Sequence, residues 1–252
     1  MDTPITTDRV KKKRGSQHVA CDDCGLFPLC NPIDIGGREF SMAEEFVERR
    51  QPLAAGDHLF REGEPFNALY AVTSGALKLT NLTEDGQELV VGFALAGETV
   101  GQTGIYPQRY PCSAVALEDS HVCELPYGNL RETANQVPAL SQNFQQMMQK
   151  ENFDLHRQFA MLMARKNAEQ RLSAFLLNLS MRLDERGYSG HEFQLPMSRD
   201  DIANFLGLRK ETLSRLFTKL HQTGAIAVRG KHIRMLDMDA LRDASGLPRH
   251  IA

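Results

Sequence analysis

The chain has 252 residues, 42% of them hydrophobic and 24% charged, with a formal net charge of −3, which is the balance of an ordinary globular protein. Charge interrupts every apolar stretch well before the roughly 20 residues of a membrane span, so no membrane segment is expected. The N-terminus MDTPITTDRVKKKRG has basic residues but no apolar run after them, which argues against a signal peptide and predicts a cytoplasmic protein with reduced thiols.

Residues 1–35 form the first unit. They contain CDDCGLFPLC, residues 21–30, which holds three of the five cysteines. A disulfide framework explains them poorly in a reducing compartment. The spacing Cys21-x2-Cys24-x5-Cys30 instead allows three thiolates to converge on one metal centre. Zinc usually takes two close pairs, whereas a cubane iron–sulfur centre accepts three neighbouring thiolates and one remote, and spacing alone does not choose. The fourth thiolate has to come from Cys112 or Cys123. His18 is a substitute ligand on paper, and more plainly a solvent-facing residue. Phe27, Pro28 and Leu29 are expected to cover the loop with apolar surface, and the Lys11–Arg14 run is a solvated tail.

Residues 36–136 alternate apolar and polar positions, with breaks at Ser74-Gly75 and Asp85-Gly86, and predict a roll of short strands. Residues 137–166 then lack glycine, and Pro138 suits a first helical turn. Leu140, Phe144, Met147, Met148, Leu155, Phe159 and Leu162 recur at helical steps, and Glu151 or Asn152 interrupts them. Such a stripe packs on its own roll or forms a dimer seam. The helix outruns a small roll, so a homodimer along Phe144, Met148, Leu155, Phe159 and Leu162 is the expectation.

Residues 167–252 form the last unit. Residues 171–252 carry 13 Lys plus Arg against 9 Asp plus Glu, and residues 1–170 carry 16 against 23, so a basic part follows an acidic one, as expected if the former meets phosphate. A helix ending at Gly187 leads to MSRDDIANFLGLRKETLSRLFTKLHQTGAI. Ser198 and Asp201 form a capping box there, Ala203 and Gly207 are small where helices would cross, and Leu213, Leu216 and Leu220 give the second helix an inward face. Its outer face offers Arg209, Glu211, Ser214, Arg215 and Lys219, and a hairpin follows with Arg229 and Lys231 at its tip. This is the plan of a winged helix-turn-helix that reads double-stranded DNA. Arg215 can donate twice to guanine and Glu211 can accept from cytosine N4. The competing use of that pair is a salt bridge four residues apart.

The order of roll, long helix and winged helix-turn-helix resembles the CRP/FNR family, and the segments SGALK, GFALAGETVG, CELP, KNAEQRLSAFLLNLS and ETLSRL are similar to its FNR branch. The resemblance implies an α+β chain: an N-terminal β-roll (a cyclic-nucleotide-binding-like double-stranded β-helix), a dimerisation helix and a C-terminal winged helix-turn-helix. It further implies a 4Fe–4S centre on Cys21, Cys24, Cys30 and Cys123, oxygen sensing, and a TTGAT-type half-site read by Glu211, Ser214 and Arg215. RNA polymerase would touch exposed roll loops such as residues 83–87. Members that bind cyclic AMP have a Glu and an Arg-Ser pair where this chain has Gln102 and Cys112-Ser113, with Arg109 nearby, so no cyclic nucleotide is expected. Asp22, Asp23 and Gly25 depart from the best-known FNR pattern and would shift the potential or oxygen sensitivity of the centre. Other outcomes are a zinc-stabilised or a cyclic-nucleotide-responsive regulator without oxygen sensing. No phosphate loop, HExxH or nucleophile elbow is present, and His58, His121, His156 and His191 lack ligand spacing, so an enzyme is not expected.

Overall fold

The computed structural model of the protein describes residues 19–35, 37–49, 52–163 and 167–246. His18 and the Lys11–Arg14 run lie outside them. The cysteine segment opens with a 3-10 turn, Cys21–Asp23, and a one-turn helix α1 (Phe27–Cys30). A small hairpin of β1 (Ile33–Ile35) and β2 (Arg38–Phe40), a helical turn α2 (Met42–Glu45) and β3 (Glu48–Arg49) lead into the roll.

The roll contains β4 (His58–Phe60), β5 (Ala68–Ser74), β6 (Ala76–Leu82), β7 (Glu88–Leu95), β8 (Thr99–Val100), β9 (Ser113–Ala116) and β10 (His121–Pro126). They form two antiparallel four-stranded sheets, ordered β3-β10-β5-β8 and β4-β9-β6-β7. Strand β5 is buried along nearly its whole length, which suits its central place in a double-sheet core. The break foreseen at Ser74-Gly75 is a corner that only glycine fits. Gly75 has φ +77°, and a Cβ there would lie 2.3 Å from Ser120 Oγ and 2.6 Å from the Asp119 carbonyl.

Helix α3 (Tyr127–Gln136) precedes α4 (Pro138–Met163), whose 26 residues span about 39 Å. Its first half packs on the roll: Leu140 and Met147 are buried, and Phe144 and Met148 lie half-buried against the same core. Its second half does not. Phe153, Leu155 and Phe159 are 66%, 60% and 60% exposed, too much apolar surface for a helix fully served by its own roll. The side chain of Leu162 lies outside the described residues. Among the described residues no helix is long and apolar enough to cross a membrane.

The second half comprises α5 (Ala168–Asp184), β11 (Glu192–Gln194), α6 (Arg199–Leu206), α7 (Lys210–Gln222), β12 (Ile226–Arg229), β13 (His232–Met235) and α8 (Met238–Ser245). Asn167 and Gln170 close a capping box on α5, which fixes its start. The core of this half extends into the roll. Phe93 of β7 meets Phe175 of α5 and Phe205 of α6 edge-on, with ring centroids 6.1 and 5.2 Å apart, each such pair contributing about 0.5–1.5 kcal/mol beyond burial. Beside this cluster Asn204 of α6 completes the edge of β7. Its Oδ1 accepts from the Val90 amide at 2.8 Å, and its Nδ2 donates to the Glu88 carbonyl at 2.7 Å.

Candidate nucleic-acid interface and cysteine cluster

Helix α6 begins as its sequence requires. Ser198 Oγ accepts from the Asp201 amide at 3.0 Å, and Asp201 Oδ2 accepts from the Ser198 amide at 2.9 Å. Burial alone would raise the Asp201 carboxyl, but the Ser198 bonds and Lys78 of β6, 3.2 Å away, outweigh it and hold the group below the usual carboxylate range. The turn to α7 runs through Gly207 in the left-handed conformation, φ +60°. Its reason is therefore backbone, not close helix crossing. A Cβ at Gly207 would meet Arg171 at an ordinary 3.6 Å, whereas a side chain at that φ is strained. Ala203 is buried, as a crossing residue should be.

Helix α7 buries Leu213, Phe217 and Leu220, with Leu216 half-buried. Phe217 was not foreseen as part of this inward face. Glu211, Ser214, Arg215 and Lys219 all face solvent, because residues four apart share one side of a helix. Among the described residues neither Glu211 nor Arg215 takes part in an ion pair, so both are available to a ligand. Lys219 is not equally available, since Glu169 of α5 holds its ammonium at 2.5 Å. Arg209 stands exposed at the start of α7. The β12–β13 hairpin pairs Arg229 with His232 around Gly230. Arg229 is exposed there, and Lys231 turns back to donate to the Pro196 carbonyl at 3.0 Å.

Arg199 joins these parts. Its guanidinium lies 3.4 Å from the centre of the Phe217 ring and donates to the Gly230 carbonyl at 3.2 Å, tying the hairpin tip to the inner face of α7 by a cation–π contact. No periodicity in the sequence marks this residue.

All five cysteines are thiols. Cys21 is exposed; Cys24, Cys30 and Cys123 are half-buried; Cys112 is buried. The cysteine loop is held to the roll at several points. Val19 and Gly25 donate to the Thr73 and Gly97 carbonyls at 2.8 Å each. Ser41 donates to the Cys30 carbonyl at 2.9 Å, and Asn143 of α4 to the Pro28 carbonyl at 2.8 Å. Leu26 and Leu29 are fully buried in the roll core while Pro28 is exposed. The expected apolar cover thus divides: Leu29 anchors the loop, and only Phe27 is left half-exposed.

The thiols of this loop sense one another and one remote partner. Burial first, and then the neighbouring Cys24, Cys123 and Cys21, together push the Cys30 thiol up to about 12. Cys24 is raised by burial too, then by Cys123 and Cys21, against the Leu26 amide and Arg186. Cys112 is raised to about 11 by burial and then by Glu62, with no cysteine contributing. Cys123 sits in β10 opposite Ala71 of β5, close to the triplet despite its distance in sequence. Among the described residues no three His, Cys, Asp or Glu side chains are gathered at metal-ligand geometry. The donor set still fits a metal–sulfur centre in number and chemistry. Four thiols lie in one neighbourhood, burial makes charge costly at Cys24 and Cys30, and bound iron would offset that penalty on their thiolates.

Residues 50–136 match the model of the cyclic nucleotide-binding domain, and residues 170–244 that of the Crp-like helix-turn-helix domain. The chain is 42% identical over 226 residues to the transcriptional activator protein anr of Pseudomonas aeruginosa, covering 90% of this chain and 92% of that one. It is 39% identical over 238 residues to the fumarate and nitrate reduction regulatory protein of Escherichia coli (strain K12), covering 94% and 95%. The chain belongs to the CRP/FNR family. Among solved structures, FixK2 from Bradyrhizobium japonicum superposes on this CRP/FNR chain with a TM-score of 0.71 at 26% identity, over 80% of this chain and 98% of that one.

As a CRP/FNR member the protein is a DNA-binding transcription regulator, with α7 as the second helix of its helix-turn-helix. In the roll, Gln102, Ser113 and Arg109 are engaged within the protein. Gln102 donates to Glu151 of α4 at 3.3 Å, Ser113 Oγ accepts from the Glu62 amide at 2.9 Å, and Arg109 is spent on the Gly63 carbonyl at 2.8 Å. Phe60 and Tyr110 stack in the roll core with ring centroids 4.0 Å apart.

Proposed function

We propose that this regulator senses oxygen through a 4Fe–4S centre held by Cys21, Cys24, Cys30 and Cys123, and that the centre controls dimerisation and binding to a TTGAT-type palindrome. The observation that carries the reading is the docking of the cysteine loop on the roll, which brings Cys24 and Cys30 within electrostatic reach of Cys21 and Cys123 while Cys112 stands apart. When bound, the centre supplies an anionic, oxygen-labile iron–sulfur group. With all four thiolates engaged, the 1–35 segment is pinned at both ends of its loop to the 36–136 roll and, through Pro28 and Asn143, to the 137–166 helix. That steadies α4, and Leu155 and Phe159 meet their counterparts in a second copy along the Phe144, Met148 and Leu162 line.

The dimer sets two α7 helices about one DNA turn, roughly 34 Å, apart. Glu211, Ser214 and Arg215 of each 167–252 unit then read a half-site, and Arg209, Lys219, Arg229 and Lys231 meet phosphate. Lys219 has to leave Glu169 to do so. Without the centre the four thiols would have no shared ligand, and the loop would be held by its hydrogen bonds and by the Leu26 and Leu29 anchors. A bias of a few kcal/mol on the monomer–dimer equilibrium suffices to switch occupancy. The exposed 83–87 turn, stiffened by the bond from the Thr83 amide to the Gln87 carbonyl at 2.9 Å, is the face offered to RNA polymerase. Cyclic nucleotide has no place in this scheme, since Cys112 cannot replace a guanidinium on a ring phosphate.

The deciding experiment is an absorbance spectrum of protein purified without oxygen, followed through air exposure, with iron, sulfide and zinc assayed on the same sample. A broad band near about 400 nm, typical of thiolate-bound iron–sulfur centres, and about four irons per chain are expected, both lost in air. A colourless, air-stable, zinc-containing protein that resists reconstitution with iron and sulfide would leave a DNA-binding regulator without the oxygen switch.

A further inference from the structure

Three parts of the chain meet at the turn between β7 and β8. Gly97 at its apex has φ +91°, and its carbonyl accepts from the Gly25 amide of the cysteine loop at 2.8 Å. A Cβ on Gly97 would stand 3.1 Å from the Asp23 carbonyl and 2.8 Å from Cδ of Arg186, just beyond the end of α5. The bare backbone of this turn is therefore clasped between the cysteine loop and the start of the DNA-reading half. Asp23 reaches the same place from the other side, with Oδ2 3.7 Å from where a Cβ on Gly187 would lie.

The charges at this joint are unusual. Glu98 is almost fully buried and chelated by Arg182, whose Nε donates to Oε1 at 2.8 Å; Arg182 also donates to the Phe93 carbonyl at 2.6 Å. Arg186 pairs with the same carboxylate more loosely, at 3.5 Å, and with Glu185 at 3.9 Å, while Arg182 makes the closer bonds to Glu98. Arg186 donates from Nη1 to the Arg182 carbonyl at 3.1 Å, and its Nε is buried with no hydrogen-bond partner among the described residues. Buried guanidinium nitrogens normally find an acceptor. A guanidinium is a permanent cation, and Arg186 places one where the cysteine loop meets the turn, its Cδ and the Asp23 carbonyl lying 2.8 and 3.1 Å from the same point beside Gly97.

We propose that Arg186 is a positioning residue for the cysteine loop: its fixed charge draws the loop, made anionic by a thiolate-bound metal–sulfur centre, onto the Gly97–Glu98 turn and thereby couples the loop to α5 of the DNA-binding half. The proposal rests on the reading of the four thiols as ligands of such a centre. Four thiolates leave the centre negatively charged, and the positive Arg186 both attracts the loop and disfavours removal of an electron from it. The coupling reaches the DNA-reading helices by a short path, since Arg186 follows directly on α5 and bonds the carbonyl of its Arg182, and Phe175 of α5 packs on Phe205 of α6 at 5.8 Å.

The test compares the full chain with R186Q, R186M and R186K, each loaded anaerobically with iron and sulfide. Two quantities are read: the rate of bleaching in air-saturated buffer, and hydrogen exchange of residues 19–30 and 184–190 with and without metal. Glu98 keeps Arg182 in every variant, so folding is expected, and R186M retains the apolar stem should R186Q fail. Loss of the charge should speed bleaching several-fold and raise exchange in both segments of the loaded protein, while R186K, which keeps the charge, stays near the native chain. Unchanged bleaching and exchange in both neutral variants would overturn the proposal and leave the ligand reading standing. If the native chain takes up no iron and sulfide, the ligand reading fails and the proposal falls with it.

Discussion

Cys112 and Cys123 lie on neighbouring segments of the roll and differ in what surrounds them. Cys112 is buried with Glu62 as its charged neighbour, whereas Cys123 influences Cys24 and Cys30. Cys123→Ser is therefore expected to abolish iron and sulfide uptake in anaerobic reconstitution, and Cys112→Ser to leave it near the native level. The same contrast of surroundings applies on α7. Arg215 is exposed and makes no ion pair among the described residues, so Arg215→Ala should cost about 1–3 kcal/mol of affinity for the native half-site and relax preference at one base position. Lys231 sits on the hairpin tip and bonds backbone. Lys231→Ala should weaken binding evenly across sequences and lower the salt slope by about 1. Fluorescence anisotropy on matched and mutated duplexes separates the two.

At the scale of elements, α4 packs its apolar positions on the roll up to Glu151 and leaves Phe153, Leu155 and Phe159 exposed beyond it. The Glu151 carboxylate accepts from Thr99 Oγ1 at 2.7 Å and from Gln102 at 3.3 Å. Burial raises its pKa, the Thr99 bond opposes this, and the Glu98 charge adds to it. An acid raised on folding contributes stability that is complete below its unfolded pKa, about 4.3, and is lost as pH rises through the folded value. Glu151→Gln removes that loss. The variant should melt higher than the native chain toward neutral pH, with the difference vanishing below about pH 4, where both side chains are neutral. Scanning calorimetry across that range checks the sign. Beyond Glu151 the apolar positions stop packing on the roll, and Phe159 becomes the natural probe of the proposed seam. Phe159→Glu places two carboxylates opposite each other and should shift metal-loaded protein from dimer to monomer in sedimentation velocity, without changing iron content.

At the scale of the whole molecule, the roll and the DNA-reading half share one aromatic core and a polar seam. Lys78 bridges Glu88 at 2.5 Å and Asp201 at 3.2 Å, so a roll strand touches the capping box that starts α6. Asn204 fills the hydrogen-bonding edge of β7, and Glu98 is chelated by Arg182. These contacts make the orientation of α6 and α7 a property of the roll as well as of their own core. Because buried ion pairs cost most when only one partner is removed, the seam tolerates a rotation that keeps the pairs together and resists one that parts them.

Much of this was legible in the linear chain, for reasons that are local. A capping box is three residues long, so Ser198 and Asp201 announce α6; Pro138 opens α4 as its fixed φ allows; Gly75 marks a corner no side chain fits; and the cysteine triplet is a loop of ten residues. Gly207 was rightly singled out, though for its left-handed backbone and not for helix crossing. What tertiary structure alone decided joins residues far apart. Glu98 and Arg182 are separated by 84 positions and Val90 and Asn204 by 114. Neither pair has a periodicity to betray it, because side-chain pairing across domains depends on how two surfaces dock. The same holds for the burial of Leu26 and Leu29 in the roll core. Residue spacing along one element determined the parts of this regulator, and the packing of one part on another determined which side chains meet.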